Sequence, residues 1–542
     1  MRHDNGGDLL VTVLRELGID TVFGIVSVHN LPLVEAVDRE LRFVPVRHEA
    51  SAVNAADAYG RARGTLGCAL TSTGTGAGNA AGSLVESLSA GSSVLHVTGQ
   101  VESGFLGSGR GFIHETKDQL SMLRAVSAYA ATVPDTEQAG RILREAARAT
   151  LTAPGGPASV EWPIDLQYAA QTDTGTGLPP APRPPAPAPA VLAAAGELLA
   201  SARRPVIWAG GGAATAGEEL TRLLETTGAA LLTSNSGRGS VPEDHHQVIG
   251  NFATAPAARA LLADADVLLT VGTHFRSNET ADYTLGLPAA HIQIDIDAAA
   301  LGRVHPATHP LHGDAAATLT ALLPHARTAE AGWGDRTAAV RTEVRQALHT
   351  GIGPQAAICD AIRAALPREA VVARDVTIPS SSWGNRLLEM YDPKDNVFPR
   401  GGGIGQGLGM GIGAALARPD APTVVIAGDG GLAVHLGELL TLAQERPRLT
   451  LIVFNDGGYG VLRNMQDRYG DRRSGVDLTT PDFALLARAC RLPYARIAAE
   501  HEAAEVIGAA VAGDGPTLVE VDLAALGPMK NPFTPPVRIP GR

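Results

Sequence analysis

Two acidic residues follow apolar stretches of the sequence, and their positions could bring two carboxylates to one site. Asp429 lies in the turn Gly428-Asp429-Gly430 after the stretch TVVIA, and Asp456 closes the stretch LTLIVFND. A helical pattern fills the residues between them, so the segment is typical of a strand-turn-helix-strand unit. Both strands of a parallel βαβ unit end at the same edge of the sheet. We therefore predict that Asp429 and Asp456 share a cation.

The predicted cation is Mg²⁺, and the same turn could bind a phosphate. Carboxylate oxygens suit this hard ion, which keeps coordination positions for water or for substrate phosphates. The glycines beside Asp429 would let a phosphate approach the backbone and the N-terminus of the following helix. The alternative is a tight turn that merely ends a strand, and the three residues Gly428-Asp429-Gly430 alone favour that simpler interpretation.

A third acid, Glu49, lies in Arg47-His48-Glu49 at the start of the helical pattern ASAVNAADAYGRARG. A Glu in the first turn of a helix is ordinarily explained by the helix macrodipole. Residues 74–78, GTGAG, lack the GxGxxG spacing and the later acid of a dinucleotide fingerprint. Neither motif identifies a function by itself.

Short apolar stretches alternate with helical patterns along the chain, as in FVPV, VLHVTG, VLLTVG and VVIAGDG. This alternation predicts an α/β fold of parallel sheets flanked by helices. A chain of 542 residues exceeds one typical domain. The Pro/Ala-rich residues 172–190 are a predicted linker, and residues 326–352 are a second. We therefore predict three domains, at 1–171, 191–325 and 353–542.

Composition and charge exclude several classes of protein. The chain has 44 Lys and Arg against 56 Asp and Glu, a net charge of −12, and no basic run that suggests a nucleic-acid partner. Its three cysteines lack the spacing of a zinc site or a disulfide framework. No uncharged apolar stretch of about 18 residues suggests a membrane span. We expect a soluble, cytoplasmic protein.

Two motifs strongly resemble the superfamily of acetolactate synthase, benzoylformate decarboxylase and pyruvate decarboxylase, whose cofactor is thiamin diphosphate (ThDP). One is the GDG turn, which 24 residues separate from the pair Asn455-Asp456; the other is RHEASAVNAADAYGRARG at residues 47–64. The following stretch, TSTGTGAGNAAG, is also similar to this family. The resemblance implies a pyrimidine-binding domain at 1–171, a central domain at 191–325 and a diphosphate- and Mg-binding domain at 353–542.

The resemblance also assigns roles to individual residues. Metal ligands would be Asp429, Asp456 and the main chain of Gly458, with Asp456 replacing the family's usual Asn. Glu49 would bind N1′ of the aminopyrimidine and activate the cofactor, in an apolar cleft that raises the pKa of its carboxyl group. The other implied cofactor contacts are Thr377, the Gly402 carbonyl, the wedge side chain Ile404, Gly428, Gly430 and Tyr459.

His114, in GRGFIHETKDQ, stands where acetolactate synthases have the Gln of a Phe-Gln-Glu segment. A lone histidine is commonly structural, but this one would face the reacting carbon, so we assign it a role in proton transfer. Ser72 stands where benzoylformate decarboxylases have a catalytic His. The sequence therefore departs from both standard patterns.

The implied reaction is ThDP- and Mg²⁺-dependent decarboxylation of a 2-oxo acid. The resulting enamine would be protonated, or joined to an aldehyde or a second keto acid. FAD could bind the central domain, but His274-Phe275-Arg276 lacks the Arg-rich pattern of flavin-carrying acetolactate synthases. The active site would lie between two subunits of a homodimer or homotetramer. A flavin-linked 2-oxo acid oxidase and a non-catalytic ThDP-binding protein are the alternatives.

Overall fold

The chain folds into three α/β units, which a computed structural model describes for residues 1–175, 177–178 and 180–536. Each unit contains a six-stranded parallel sheet flanked by helices, so the predicted fold class is confirmed. Within these described ranges, no helix is long and apolar enough to cross a membrane.

The first unit contains one six-stranded sheet and a short antiparallel pair of strands. Its strands are β1 (Arg2–His3), β2 (Thr21–Gly24), β3 (Arg42–Pro45), β4 (Gly67–Thr71), β5 (Val94–Gln100), β6 (Tyr129–Thr132), β7 (Ala158–Pro163) and β8 (Gln171–Thr172). Its α-helices are α1 (Gly6–Glu16), α2 (Leu31–Glu40), α3 (Glu49–Arg63), α4 (Thr75–Ala90), α5 (Gln119–Val126), α6 (Ala139–Leu151) and α7 (Ile164–Tyr168). The main sheet has the order β3-β2-β4-β5-β7-β6, and β1 pairs with β8.

The central unit has a different strand order from the first. Its strands are β9 (Pro205–Ala209), β10 (Ala230–Thr233), β11 (Val248–Gly250), β12 (Val267–Val271), β13 (His291–Asp295) and β14 (His309–His312). Its α-helices are α8 (Pro189–Ser201), α9 (Gly217–Thr227), α10 (Pro256–Asp264) and α11 (Ala315–Leu322). The order β11-β10-β9-β12-β13-β14 is that of the doubly wound dinucleotide fold.

The third unit repeats the strand order of the first. Its strands are β15 (Val371–Arg374), β16 (Asn396–Val397), β17 (Thr423–Gly428), β18 (Leu449–Asn455), β19 (Tyr494–Ile497) and β20 (Thr517–Asp522), in the order β16-β15-β17-β18-β20-β19. The α-helices are α12 (Trp333–Gly351), α13 (Gln355–Ala365), α14 (Gly407–Ala417), α15 (Asp429–Leu432), α16 (Glu438–Glu445), α17 (Gly460–Tyr469), α18 (Phe483–Ala489), α19 (Ala503–Ala512) and α20 (Leu523–Leu526).

The shared strand order of the first and third units fixes where ligands can bind. The chain reverses its direction of travel between β2 and β4 in the first unit, and between β15 and β17 in the third. In open parallel sheets, ligands bind at such a point, beyond the carboxyl ends of the strands. A ligand-binding site is therefore expected at the loops that follow these four strands.

Much of the second predicted linker, residues 326–352, is helical. Helix α12 buries Trp333 in a hydrophobic cluster that also contains Trp208 of the central unit and Trp383 of the third. The Trp333 indole donates a hydrogen bond to the Pro205 carbonyl at 3.1 Å. This helix therefore packs the central and third units together. The first predicted linker, 172–190, includes residues 176 and 179, which lie outside the described residues.

Helices α3 and α14 join the first and third units through small residues. A Cβ atom added to Gly413 of α14 would lie 2.0 Å from the Ala55 carbonyl oxygen of α3, whereas one added to Gly508 of α19 would meet no atom within 4 Å. The contact at Gly413 therefore depends on the absence of a side chain.

We predict that Gly413→Ala destabilises the protein and that the matched helical substitution Gly508→Ala does not. The new methyl group at Gly413 must force α3 and α14 apart, at a cost of about 1–3 kcal/mol. At Gly508 the gain in helix propensity should leave stability unchanged or raise it by up to about 1 kcal/mol. Melting temperatures of the two variants measure the difference, and equal melting temperatures would contradict the tight packing of α3 on α14.

Candidate functional site

Asp429 and Asp456 lie side by side at one edge of the third sheet. Strands β17 and β18 are parallel and pair Gly428 with Phe454, so both acids lie just beyond the last paired residues. The Asp456 amide donates a hydrogen bond to Oδ1 of Asp429 at 3.4 Å. Oδ2 of Asp429 is buried and has no hydrogen-bond partner among the described residues. A buried carboxylate oxygen without a donor is a ready ligand for a cation.

Both carboxyl groups hold a proton more strongly than usual. Burial raises the pKa of Asp429, against the effect of backbone amides led by that of Asp456. Burial and then the charge of Asp429 raise the pKa of Asp456 to about 6, while the nearby Arg463 lowers it. A divalent cation between the two acids would remove the repulsion that helps to cause this shift.

Glycines bring the main chain close to the two acids. Gly458 has a φ of +148°, and a Cβ atom added to Gly430 would lie 2.8 Å from the Gly458 carbonyl oxygen and from the Tyr459 ring. A Cβ atom added to Gly460 would lie 1.9 Å from Oδ2 of Asp456. The structure thus gathers Asp456, Gly458, Tyr459 and Gly430 beside Asp429.

Arg463 stabilises this loop, although its position in the sequence predicted no role for it. Its guanidinium lies 3.6 Å from Oδ2 of Asp456 and donates to the carbonyls of Asp456 and Gly457 at 3.2 and 3.3 Å. It also forms an ion pair of 2.8 Å with Asp477. Arg463 lies in α17, just after the loop that follows Asn455-Asp456, and no local sequence pattern distinguishes it. Only the structure therefore reveals its role.

The residues present fit a hard cation and a diphosphate. Within the described part of the chain, no group of three or more His, Cys, Asp or Glu side chains could hold a metal ion. A cation at this site would therefore take two carboxylates, a main-chain oxygen and oxygens of a ligand, as Mg²⁺ accepts. A Cβ atom added to Gly428 would lie 2.9 Å from Oγ1 of Thr377, so Thr377 borders the same turn. A bare glycine turn at the start of α15 leaves its backbone amides open to a phosphate.

Glu49 lies at the start of α3 in the first unit. The His48 ring caps this helix by accepting a hydrogen bond from the Ala50 amide at 3.2 Å. The Glu49 side chain is half-buried, and its Oε2 accepts from Nδ2 of the exposed Asn79 at 3.0 Å. A Cβ atom added to Gly76 would lie 3.0 Å from Oε1 of Glu49, so the glycine turn after β4 touches this carboxylate.

The structure does not join Glu49 to the acid pair within one chain. Among the described residues, the hydrogen bonds of its carboxylate reach only Asn79. The neighbouring Arg47 amide instead donates to Glu438 of α16 at 2.9 Å, and the His48 and His435 rings lie 4.9 Å apart. In a single chain the Glu49 side chain is therefore partly exposed, and this chain alone does not form the apolar cleft that was expected around it.

His114 lies beside a second histidine, His29, which no sequence motif marks. Its Nδ1 is 3.3 Å from Nδ1 of His29, and the ring centres are 5.1 Å apart. His29 is buried, and its pKa is lowered by burial and by the charge of His114. The main chain of His114 packs on Gly74, in the same turn that borders Glu49. The switch point of the first sheet thus carries two imidazoles that can exchange one proton.

Gly402 and Ile404 lie in the loop that precedes α14. Gly402 has a φ of +97°, and a Cβ atom there would meet nothing within 4 Å. The Ile404 side chain is 41% exposed, although isoleucine is among the residue types most often buried. Both residues are therefore accessible to a ligand. Asp375, which follows β15, binds this loop and was also missed, although an acid directly after an apolar strand is the pattern that identified Asp429.

Three family models cover most of the chain. The N-terminal TPP binding domain of thiamine pyrophosphate enzymes matches residues 4–122, the central domain matches 192–322, and the C-terminal TPP binding domain matches 379–521. Thiamine pyrophosphate is another name for ThDP. The three units described above therefore correspond to the three domains of such enzymes.

Curated proteins similar to the chain over most of its length are enzymes of the same kind. A probable 2-ketoarginine decarboxylase of Pseudomonas aeruginosa is 34% identical over 496 residues, which cover 89% of this chain and 88% of that protein. A probable acetolactate synthase large subunit of Methanocaldococcus jannaschii is 28% identical, covering 97% and 93%. The acetolactate synthase isozyme 2 large subunit of Escherichia coli is 28% identical, covering 96% of each chain. The chain belongs to the family of thiamine pyrophosphate enzymes.

Proposed function

We propose that this enzyme uses ThDP and Mg²⁺ to decarboxylate a 2-oxo acid and then protonates the product. The paired carboxylates of Asp429 and Asp456, with the unpartnered Oδ2 of Asp429, carry this proposal. The names of the similar proteins, which include a 2-ketoarginine decarboxylase and acetolactate synthases, support a 2-oxo acid as substrate. Neither these names nor the family models mention a flavin, so we include no FAD.

The cofactor would lie across the strand ends of the third unit. Mg²⁺ would be held by Asp429, Asp456 and the Gly458 carbonyl, as the resemblance implies. Residues that would contact the rest of the cofactor are Thr377, Gly402, Ile404, Gly428, Gly430 and Tyr459. When bound, ThDP supplies the carbon nucleophile and accepts the electron pair that stays behind when CO₂ leaves. Glu49 would hold a proton at N1′ of the aminopyrimidine, which is general acid-base catalysis by a side chain.

The His29–His114 pair supports protonation as the final step. Two imidazoles 3.3 Å apart can pass one proton between them, and burial and the charge of His114 lower the pKa of His29. His114 would face the substrate, and His29 would return a proton to it. Carboligation to a second carbonyl compound is the alternative outcome for the same site, because it needs no proton from this pair at the reacting carbon.

A second copy of the chain would complete the site. Glu49 is half-open in one chain, and large apolar side chains are exposed near both halves of the candidate site. Those near the histidine pair are Val26, Val28, Leu31 and Ile113, and those near the acid pair and its loops are Ile404, Val434 and Leu462. Burial of these residues against a partner would favour a homodimer or a homotetramer of such dimers. The proposal needs no membrane or nucleic-acid partner, and we place the enzyme in the cytoplasm.

A screen for CO₂ release tests the proposal directly. The purified protein, with ThDP and Mg²⁺, would be given 2-ketoarginine, pyruvate, 2-oxobutyrate, and branched and aromatic 2-oxo acids, with and without an added aldehyde. We expect CO₂ and the matching aldehyde from at least one of them. Flavin absorbance with oxygen consumption would instead identify an oxidase, and ThDP binding without any turnover would identify a non-catalytic binding protein.

We predict that Glu49→Gln lowers turnover by about 10²- to 10⁴-fold, because it removes the carboxyl group that exchanges a proton with the cofactor. ThDP affinity should change far less than turnover, since Mg²⁺ and diphosphate contacts are intact. The matched control is Glu218→Gln, another Glu in the first turn of a helix, which should leave both quantities unchanged. Near-normal turnover of Glu49→Gln at full cofactor occupancy would contradict this role.

We predict that His114→Asn slows aldehyde release by about 10²-fold or more and, with an acceptor aldehyde present, increases the share of carboligated product. Asn is chosen because the φ of His114 is +67°, a conformation that Asn tolerates better than most residues. Loss of the His114 charge should also raise the pKa of His29 and move the limb of the rate profile that reports His29 to higher pH. The control is His246→Asn, at an exposed histidine. An unchanged pH profile for His114→Asn would contradict proton exchange between His29 and His114.

We predict that Asp456→Asn stabilises the metal-free protein above pH about 6 and weakens its stabilisation by Mg²⁺. The folded state raises the pKa of Asp456 from 3.8 to about 6, so ionising Asp456 costs folding free energy above that pH and nothing once pH falls below 3.8. The gain should be about 1–3 kcal/mol near neutral pH and should shrink on acidification. Melting temperatures measure it, with Asp471→Asn, at an exposed aspartate away from Arg463, as the control. A lower melting temperature of metal-free Asp456→Asn would contradict the repulsion.

A further inference from the structure

Glu86 links the first unit to the loop that carries Gly402 and Ile404. It lies in the last turns of α4 and is only 6% exposed. One carboxylate oxygen accepts a hydrogen bond from the Gly401 amide, and the other accepts from the Gly403 amide at 2.6 Å. The two amides on either side of Gly402 are therefore bound by one buried carboxylate.

Asp375 binds the same loop from the third unit. Its two carboxylate oxygens accept hydrogen bonds from the amides of Gly405 and Gly407, both at 3.0 Å. The Gly405 carbonyl is bound as well, by Nδ1 of His435 at 2.7 Å. Four alternate amides, at residues 401, 403, 405 and 407, thus donate to two buried carboxylates that belong to different units.

This arrangement leaves the main-chain carbonyl of Gly402 without a hydrogen-bond donor among the described residues. A Cβ atom added to Gly402 would meet nothing within 4 Å. Gly401 and Gly402 border a cavity of about 430 Å³, which Arg276, Arg400 and Asp375 also line. An unpaired main-chain carbonyl beside open space is suited to accept a hydrogen bond from a ligand.

The glycines at 401 and 403 are required by the carboxylate itself. Cβ atoms added at these positions would lie 2.7 and 2.8 Å from the Glu86 carboxylate oxygens. Arg400 also donates to the Ala90 carbonyl at the end of α4, at 3.1 Å. The last turn of α4 and residues 400–403 therefore form one interlocked contact between the first and third units.

We propose that Glu86 is a positioning residue that fixes residues 401–403, and so orients the Gly402 carbonyl and the Ile404 side chain toward the aminopyrimidine half of the cofactor. This inference rests on the proposed function, because it assumes that ThDP is the ligand. Glu86 acts through the loop and does not touch the reacting atoms. Asp375 holds the following residues, so that the loop is fixed from both sides. The diphosphate half, bound near Asp429 and Asp456, does not depend on Glu86.

Binding of ThDP and of inorganic pyrophosphate, each with Mg²⁺, to the full-length protein separates the two halves. We expect Glu86→Gln to lower the affinity for ThDP by about tenfold to a hundredfold, because the Gln side-chain amide cannot accept hydrogen bonds from both loop amides. Pyrophosphate affinity should be unchanged, since it needs only the acid pair and its turn. Titration calorimetry measures both. Gly401→Ala, whose new methyl group would lie 2.7 Å from Oε2 of Glu86, should have the same effect and serves if Glu86→Gln does not fold.

The control is Asp57→Asn, which neutralises another buried carboxylate that bonds Ser87, the neighbour of Glu86, but no amide of the loop. It should lower the melting temperature without changing ThDP affinity. Unchanged ThDP affinity in Glu86→Gln and Gly401→Ala, or equal weakening of ThDP and pyrophosphate binding, would overturn the positioning role. Wild-type protein that binds pyrophosphate but not ThDP would instead overturn the proposed function, and this inference with it.

Discussion

Burial of two carboxylates side by side is the constraint on which the rest of this structure depends. Parallel pairing of β17 and β18 fixes Asp429 and Asp456 at adjacent strand ends, where burial and mutual repulsion make ionisation unfavourable. The proposed cation would remove that repulsion, so its binding between the two acids would be linked to a gain in folding free energy. The glycines at 430 and 458 then follow, because main-chain groups must approach the same small volume.

Buried acids also organise the surrounding loops, without a metal. Asp375 follows the strand next to β17, and Glu86 reaches the same loop from another unit, so acids from two units converge on the candidate site. Each satisfies its oxygens with main-chain amides, which is the usual condition for burying a carboxylate. Several positions of the loop are glycines, because a side chain there would collide with these carboxylates or their neighbours. The high glycine content of residues 401–407 is thus explained by contacts with acids and close helix packing, more than by a need for flexibility.

The sequence was sufficient for features set by local spacing and by parallel topology. The α/β class, the strand ends that carry Asp429 and Asp456, and the helix that begins at Glu49 all follow from patterns within short segments. The contact of His29 with His114 and that of Glu86 with Gly403 join residues far apart in the chain, so no local pattern could reveal them. Helix α12 was hidden for another reason: its glycine-bounded, mostly polar sequence is typical of a linker, and only the burial of Trp333 in the cluster shared by the central and third units explains the helix.

Helix α4 gives this architecture a property that neither half of the site has alone. Its first turn touches Glu49 through Gly76, and its last residues accept hydrogen bonds from Arg276 and Arg400. Its 16 residues span about 24 Å as a straight rod. In the proposed dimer, Glu49 and Gly402 of one chain would serve different active sites. Helix α4 would therefore link the two proposed sites of such a dimer, and a displacement of the glycine loop at one site would reach Glu49 at the other through this helix.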